Sequence, residues 1–117
     1  MRRIAAGALF ALALAPGHAS AHAILVQSQP ATGASVAAGQ VDMSFRYNSR
    51  IDRARSRLTL TGPDHSPSIL KITPAGSPDT IQTTAKLTAG AYVVRWQVLA
   101  VDGHITRGDV PFTVTGP

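Results

Sequence analysis

Apolar and polar residues alternate one by one through most of the chain. Tyr92, Val94, Trp96 and Val98 fall on one side of an extended segment, and Val93, Arg95, Gln97 and Leu99 on the other. Val41, Met43 and Phe45 alternate with Asp42, Ser44 and Arg46, Leu58 and Leu60 with Thr59 and Thr61, and Val110, Phe112 and Val114 with Pro111, Thr113 and Thr115. A period of two is the mark of a strand with one face buried. Turn formers separate these runs: Pro30 to Gly33, Gly62-Pro63-Asp64, Pro74-Ala75-Gly76-Ser77-Pro78, Ala89-Gly90 and Asp102-Gly103. No segment beyond residue 21 keeps apolar residues at i, i+3, i+4 and i+7 over three turns. Short strands punctuated by turns over about a hundred residues predict an all-β fold, a single-domain immunoglobulin-like Greek-key β-sandwich. Pro111 has no N–H to give a ladder, so its strand is expected at an edge or at a bulge.

The first 21 residues follow a different pattern. Arg2 and Arg3 precede an almost uninterrupted apolar run from Ile4 to Ala15, Pro16 and Gly17 break it, and Ala19-Ser20-Ala21 supplies small residues at alternate positions. Twelve apolar residues are too few to cross a bilayer, whose hydrocarbon core needs about 20 in a helix. The three-part pattern is that of a secretory signal. Residues 1–21 are therefore expected to be cleaved and residues 22–117 to form the domain, beginning at His22 in the periplasm or outside the cell, with no membrane span after cleavage.

Charge and composition then narrow the function. Removing 21 residues from 117 leaves 96, with nine cationic side chains against six aspartates, a mild excess of +3. Arg46, Arg50, Arg53, Arg55 and Arg57 form a basic stretch without interleaved aromatics, which reads as a solvated face, with a docking surface for an acidic partner as the alternative, and not as a nucleic-acid site. The absence of cysteine excludes disulfides, thiolate metal sites and a cysteine nucleophile. There is no glutamate, no Gly-x-Ser-x-Gly elbow and no glycine-rich phosphate loop. A triad of His104, an aspartate and a serine would need a substrate cleft that a sandwich of this size rarely provides, so no enzyme is expected.

Candidate chemistry lies with the histidines. Cleavage after Ala21 would make His22 the first residue, with a free α-amine beside its own imidazole. Those two nitrogens can chelate one ion in a single ring. An α-amine titrates near about 7.7–8, so a strongly competing cation is needed to displace its proton at neutral pH. Cu(II) heads the affinity order of the first-row divalent ions and favours tetragonal nitrogen and oxygen ligands. Val101-Asp102-Gly103-His104 offers a carboxylate and a second imidazole two positions apart, which an extended chain would place on one face, with Gly103 free to bend between them. Spacing leaves two roles open to Asp102, direct ligation or orientation of His104. An Asp-Gly turn followed by an exposed histidine is the plain alternative.

At this level of detail the chain resembles the CopC family of periplasmic copper-binding proteins, the CopC/YobA-like copper resistance domain. The likeness starts at His22-Ala23 and passes through Ser28-Gln29-Pro30-Ala31-Thr32-Gly33. It is most specific from Leu87-Thr88-Ala89-Gly90-Ala91-Tyr92-Val93-Val94-Arg95-Trp96 to Asp102-Gly103-His104 and Gly108-Asp109-Val110-Pro111-Phe112-Thr113-Val114. The resemblance implies a Greek-key sandwich that binds one Cu(II) through the amine and imidazole of His22, the carboxylate of Asp102 and the imidazole of His104. It implies copper resistance or homeostasis, with a CopD-like inner-membrane copper transporter as partner and Trp96 in the core near the site.

Two departures from the family pattern stand out. Some relatives carry a methionine-rich Cu(I) site, whereas Gly62-Pro63-Asp64-His65-Ser66-Pro67 keeps a histidine without methionines, and Met43 is the only methionine left after cleavage. Cu(I) prefers thioethers, so no Cu(I) site is expected, Met43 is assigned to the core and His65 to an exposed loop. After Phe45, where relatives often have an acidic residue, stands Arg46-Tyr47-Asn48. Two other functions stay in view: a histidine-chelate copper oxidase and a metal-free exported adhesion or scaffold sandwich.

Overall fold

The structure, a computed structural model, describes residues 22–116. The expected signal segment lies outside the described residues. Eight strands follow in order: β1 Leu25–Gln29, β2 Ser35–Ala37, β3 Gly39–Tyr47, β4 Ile51–Thr61, β5 Pro67–Leu70, β6 Thr80–Leu87, β7 Gly90–Ala100 and β8 Ile105–Thr115. They form a three-stranded sheet in the order β1-β3-β6 and a five-stranded sheet in the order β2-β8-β7-β4-β5. All pairings are antiparallel except that of β2 with β8. The protein is a β-sandwich, and among the described residues no helix is long and apolar enough to cross a membrane.

The alternating positions are the core. Val41, Met43, Phe45 and Tyr47 of β3 face Leu58 and Leu60 of β4, Tyr92, Val94, Trp96 and Val98 of β7, and Val110, Phe112 and Val114 of β8, all buried. Full burial of each large apolar side chain stabilises by about 1.5–3 kcal/mol, so these four strands carry most of the hydrophobic gain. Met43 is in the core as expected. Strand β6 buries Ile81 and Leu87 but also Thr83, whose hydroxyl donates to the Lys71 carbonyl at 2.7 Å.

Pro111 lies at an exposed stretch of strand edge. Its carbonyl accepts from the Gly33 amide at 2.7 Å, so its polar edge faces the preceding turn and its missing N–H costs no bond to β7. Strand β2 covers β8 only at Thr113, Val114 and Thr115. The arginine stretch differs in part from a simply solvated face. The Arg53 guanidinium donates to the carbonyls of Ser77 at 2.7 Å and Thr80 at 3.0 Å, tying the β5–β6 connection to β4. The register of β4 against β7 breaks between Asp52 and Arg57, where the Ser56 hydroxyl donates to Asp52 O and accepts from the Leu99 amide.

The two ends of the sandwich are built from different connections. At one end lie residues 22–24, the β3–β4 connection and the β7–β8 hairpin; at the other lie the β4–β5 turn and the β6–β7 turn.

Candidate metal centre

The segment carrying His22 is held by its two successors. Ala23 is buried and its carbonyl accepts the Thr106 hydroxyl of β8 at 2.8 Å. Ile24 exchanges two bonds with Asn48: its amide donates to Asn48 Oδ1 at 2.8 Å, and its carbonyl accepts the Asn48 amide at 3.0 Å. His22 itself is exposed, one residue beyond this anchor.

Asp102 and His104 are brought together by a turn. The extended i, i+2 arrangement anticipated from spacing is not what forms. Residue 103 is a glycine at φ +96°, a left-handed conformation that side chains resist, and its amide donates to Ala100 O at 2.9 Å. The Ala100 amide donates to His104 O at 2.9 Å and closes the hairpin. Within it Asp102 Oδ1 accepts the His104 amide at 3.1 Å, and Asp102 Oδ2 lies 3.1 Å from His104 Nδ1. The His104 amide, helped by its ring and opposed by slight desolvation, holds the Asp102 carboxyl below the ordinary carboxylate range, so it is ionised at neutral pH. With Nδ1 occupied, Nε2 is the His104 nitrogen left to meet a metal.

The imidazoles of His22 and His104 stand edge to face, with centroids 4.9 Å apart and planes at 83°. An ion bound at about 2.0–2.1 Å from an imidazole nitrogen lies about 3 Å from the ring centre, so two rings on one ion stand up to about 6 Å apart, and this pair falls within that span. Among the described residues no group of three or more His, Cys, Asp or Glu side chains forms a ready cage. Both Asp102 oxygens face His104, and the further donor anticipated from the sequence is the α-amine of His22. His65 is at the opposite end of the sandwich, exposed, with φ 61° and its amide bonded to Gly62 O.

Beneath the site end, Tyr47 and Trp96 pack edge to face with centroids 5.3 Å apart. Trp96 is in the core, against Gly108, where a Cβ would come within 2.3 Å of the indole. Tyr47 Oη and Trp96 Nε1 are buried with no hydrogen-bond partner among the described residues, and burial pushes the Tyr47 phenol pKa up. The residue after Arg46 thus enters the core as a neutral phenol. Asn48 and Thr106, which place the His22 segment, carried no signal in the sequence, because their bonds join residues 24 and 83 positions apart.

Comparison with known proteins agrees with this architecture. Residues 25–115 match the family model of the CopC domain. The chain belongs to the CopC family. It is 36% identical over 104 residues to copper resistance protein C of Pseudomonas syringae pv. tomato, covering 82% of each chain. It is 31% identical over 100 residues to protein YobA of Escherichia coli K12, covering 80% of this chain and 79% of the relative. Among solved structures, CopC of Methylosinus trichosporium OB3b superposes with a TM-score of 0.72 at 26% identity, covering 81% of this chain and 95% of that one. PcoC of Escherichia coli, described as a methionine-rich copper resistance protein, superposes at 0.66 with 30% identity, covering 80% and 99%.

Proposed function

We propose that this CopC-family chain is a periplasmic copper-binding protein that takes one Cu(II) at the end of the sandwich where His22 meets His104, and passes it to a membrane transporter. Copper is cargo and no reaction is catalysed. The leader is cut after Ala21, so that His22 supplies its α-amine and its imidazole. His104 supplies Nε2. Asp102 holds the His104 ring through Nδ1 and adds the negative charge that favours a dication.

The observation that carries this reading is the 4.9 Å approach of two imidazoles that lie far apart along the chain, one of them already fixed by a carboxylate. Relatives named for copper resistance supply the choice of metal, and nitrogen donors beside a carboxylate suit Cu(II). A Cu(I) thioether site has no support here, since Met43 is buried at 2% exposure and is the only methionine after residue 21.

Two preparations test it, one beginning at His22 and one retaining Ala21 ahead of it. Each is titrated with Cu(II) against a competing chelator and examined by electron paramagnetic resonance. Tight one-to-one binding with nitrogen hyperfine structure is expected for the first, much weakened by the extra residue. Equal binding by both overturns the amine ligand, and binding by neither overturns the copper function.

A further inference from the structure

Five large apolar side chains stand exposed among the described residues, and three of them adjoin the proposed ligands. Ile24 is 52% exposed two residues after His22, Val101 is 65% exposed beside Asp102, and Ile105 is 49% exposed beside His104. The core does not need them there. Their segments are anchored by backbone bonds and by the buried neighbours Ala23, Ala100 and Val98. Exposed apolar groups gathered around one site mark a contact surface more often than singly scattered ones do.

The margin of this rim is cationic. Arg50 adjoins Val101, whose amide donates to the Arg50 carbonyl at 3.3 Å. On the outer face of the five-stranded sheet, the pair Leu99–Ile105 is followed by Gln97–Arg107, with Arg57 opposite Gln97 on β4. Arg107 donates to Gln97 Oε1 at 2.8 Å, and neither it, Arg50 nor Arg57 forms a salt bridge among the described residues. Asp109, one row further, is already held by Arg95 at 3.1 Å.

We infer that Ile24, Val101 and Ile105, with Arg50 and Arg107 at their edge, form the docking surface for the copper acceptor, a protein whose contacting face is acidic and partly apolar. This deepens the carrier reading and rests on it. A copper ion leaves an exposed site fastest by ligand exchange, in which the acceptor's donor atom bonds before His22 or His104 lets go. Such an intermediate brings the acceptor within a bond length of the ion, so whatever rims the site is pressed against it. A second copy of this chain is disfavoured as occupant, because the two arginine margins would face each other. A lipid surface matches the charge but offers only weak oxygen donors for Cu(II) in place of nitrogen.

The test uses copper-loaded protein beginning at His22, membrane vesicles bearing a CopD-like transporter, and empty vesicles of phosphatidylethanolamine and phosphatidylglycerol. Delivery of radioactive copper is compared for the wild type, Val101→Ser/Ile105→Ser and Arg50→Glu/Arg107→Glu, with removal by a small chelator as the control that needs no docking. Delivery to transporter vesicles is expected to fall at least about tenfold in each double variant, the scale of a lost interface anchor. Chelator removal should stay within about twofold, and wild-type delivery should slow as salt rises from about 50 to about 500 mM. If the variants deliver as fast as the wild type, the rim is not the docking surface and the carrier reading stands. If the wild type delivers nothing, both fall. Equal binding to empty vesicles makes the occupant lipid and overturns the protein partner.

Discussion

Each end of the sandwich presents a histidine on a turn, and the two histidines have opposite surroundings. At the β4–β5 end, His65 occupies a left-handed turn position, and among the described residues its ring makes no hydrogen bond, ion pair or ring contact. At the β7–β8 end, His104 sits on a hairpin of similar size, yet Asp102 grips its Nδ1 and His22 arrives at 4.9 Å from the far end of the chain. A turn histidine becomes a credible ligand when separate segments converge on it. Convergence here depends on the Ala23–Thr106 and Ile24–Asn48 bonds, which bring a second histidine beside the first.

The largest effect should come from removing one arm of that convergence. His104→Ala is expected to weaken Cu(II) binding at least about a hundredfold in a chelator competition, roughly two steps of tenfold in affinity. Next comes Asp102→Asn, which keeps the shape but gives up the charge and one of two acceptor oxygens, so the His104 amide and Nδ1–H are no longer both met. A fall of about tenfold is expected by the same titration, in line with the loss of a residue that orients a ligand. A third comparison sets stability at the two ends against affinity. Gly108→Ala forces a Cβ to 2.3 Å from the Trp96 indole, and Gly90→Ala, at φ +149°, forces one to 2.3 Å from Pro63. Each should cost about 1–3 kcal/mol in denaturant unfolding, as overpacking does. Only Gly108→Ala should also lower copper affinity, since Trp96 packs on Tyr47, the neighbour of the Asn48 that holds the His22 segment, and Pro63 is at the other end. The smallest effect belongs to His65→Ala, for which one-to-one stoichiometry and an unchanged affinity are expected by isothermal titration. A second equivalent lost with His65 would erase the contrast between the ends.

Much of the fold was legible where one face of a strand is buried. Val41 to Phe45, Tyr92 to Val98 and Val110 to Val114 announce themselves because the core demands an apolar residue at every second position. Strands β1, β2 and β5 were silent for the converse reason: most of their residues are exposed and their pairing is backbone to backbone. Strand β6 was masked by Thr83, a buried hydroxyl that a carbonyl outside the strand satisfies. The proposed ligands His22, Asp102 and His104 were picked out by residue type and spacing. Asp102-Gly103 was marked as a turn, but the pairing of Asp102 with His104 was argued from an extended i, i+2 face, whereas the turn itself brings them together. Asn48 and Thr106 were invisible, since a side chain that reaches a distant backbone group leaves no local pattern.

The Thr106–Ala23 bond spans 83 positions, so the proposed ligands come from opposite ends of one chain. An ion held by both would act as a removable cross-link around nearly the whole domain. Ligand at a hundred times its dissociation constant stabilises a fold by about 2.7 kcal/mol through mass action alone. Loaded and empty carriers would then differ in how often they open, and envelope proteases would clear the empty ones first. Cargo would set the lifetime of its own carrier, a difference that pulse proteolysis with and without Cu(II) would read directly.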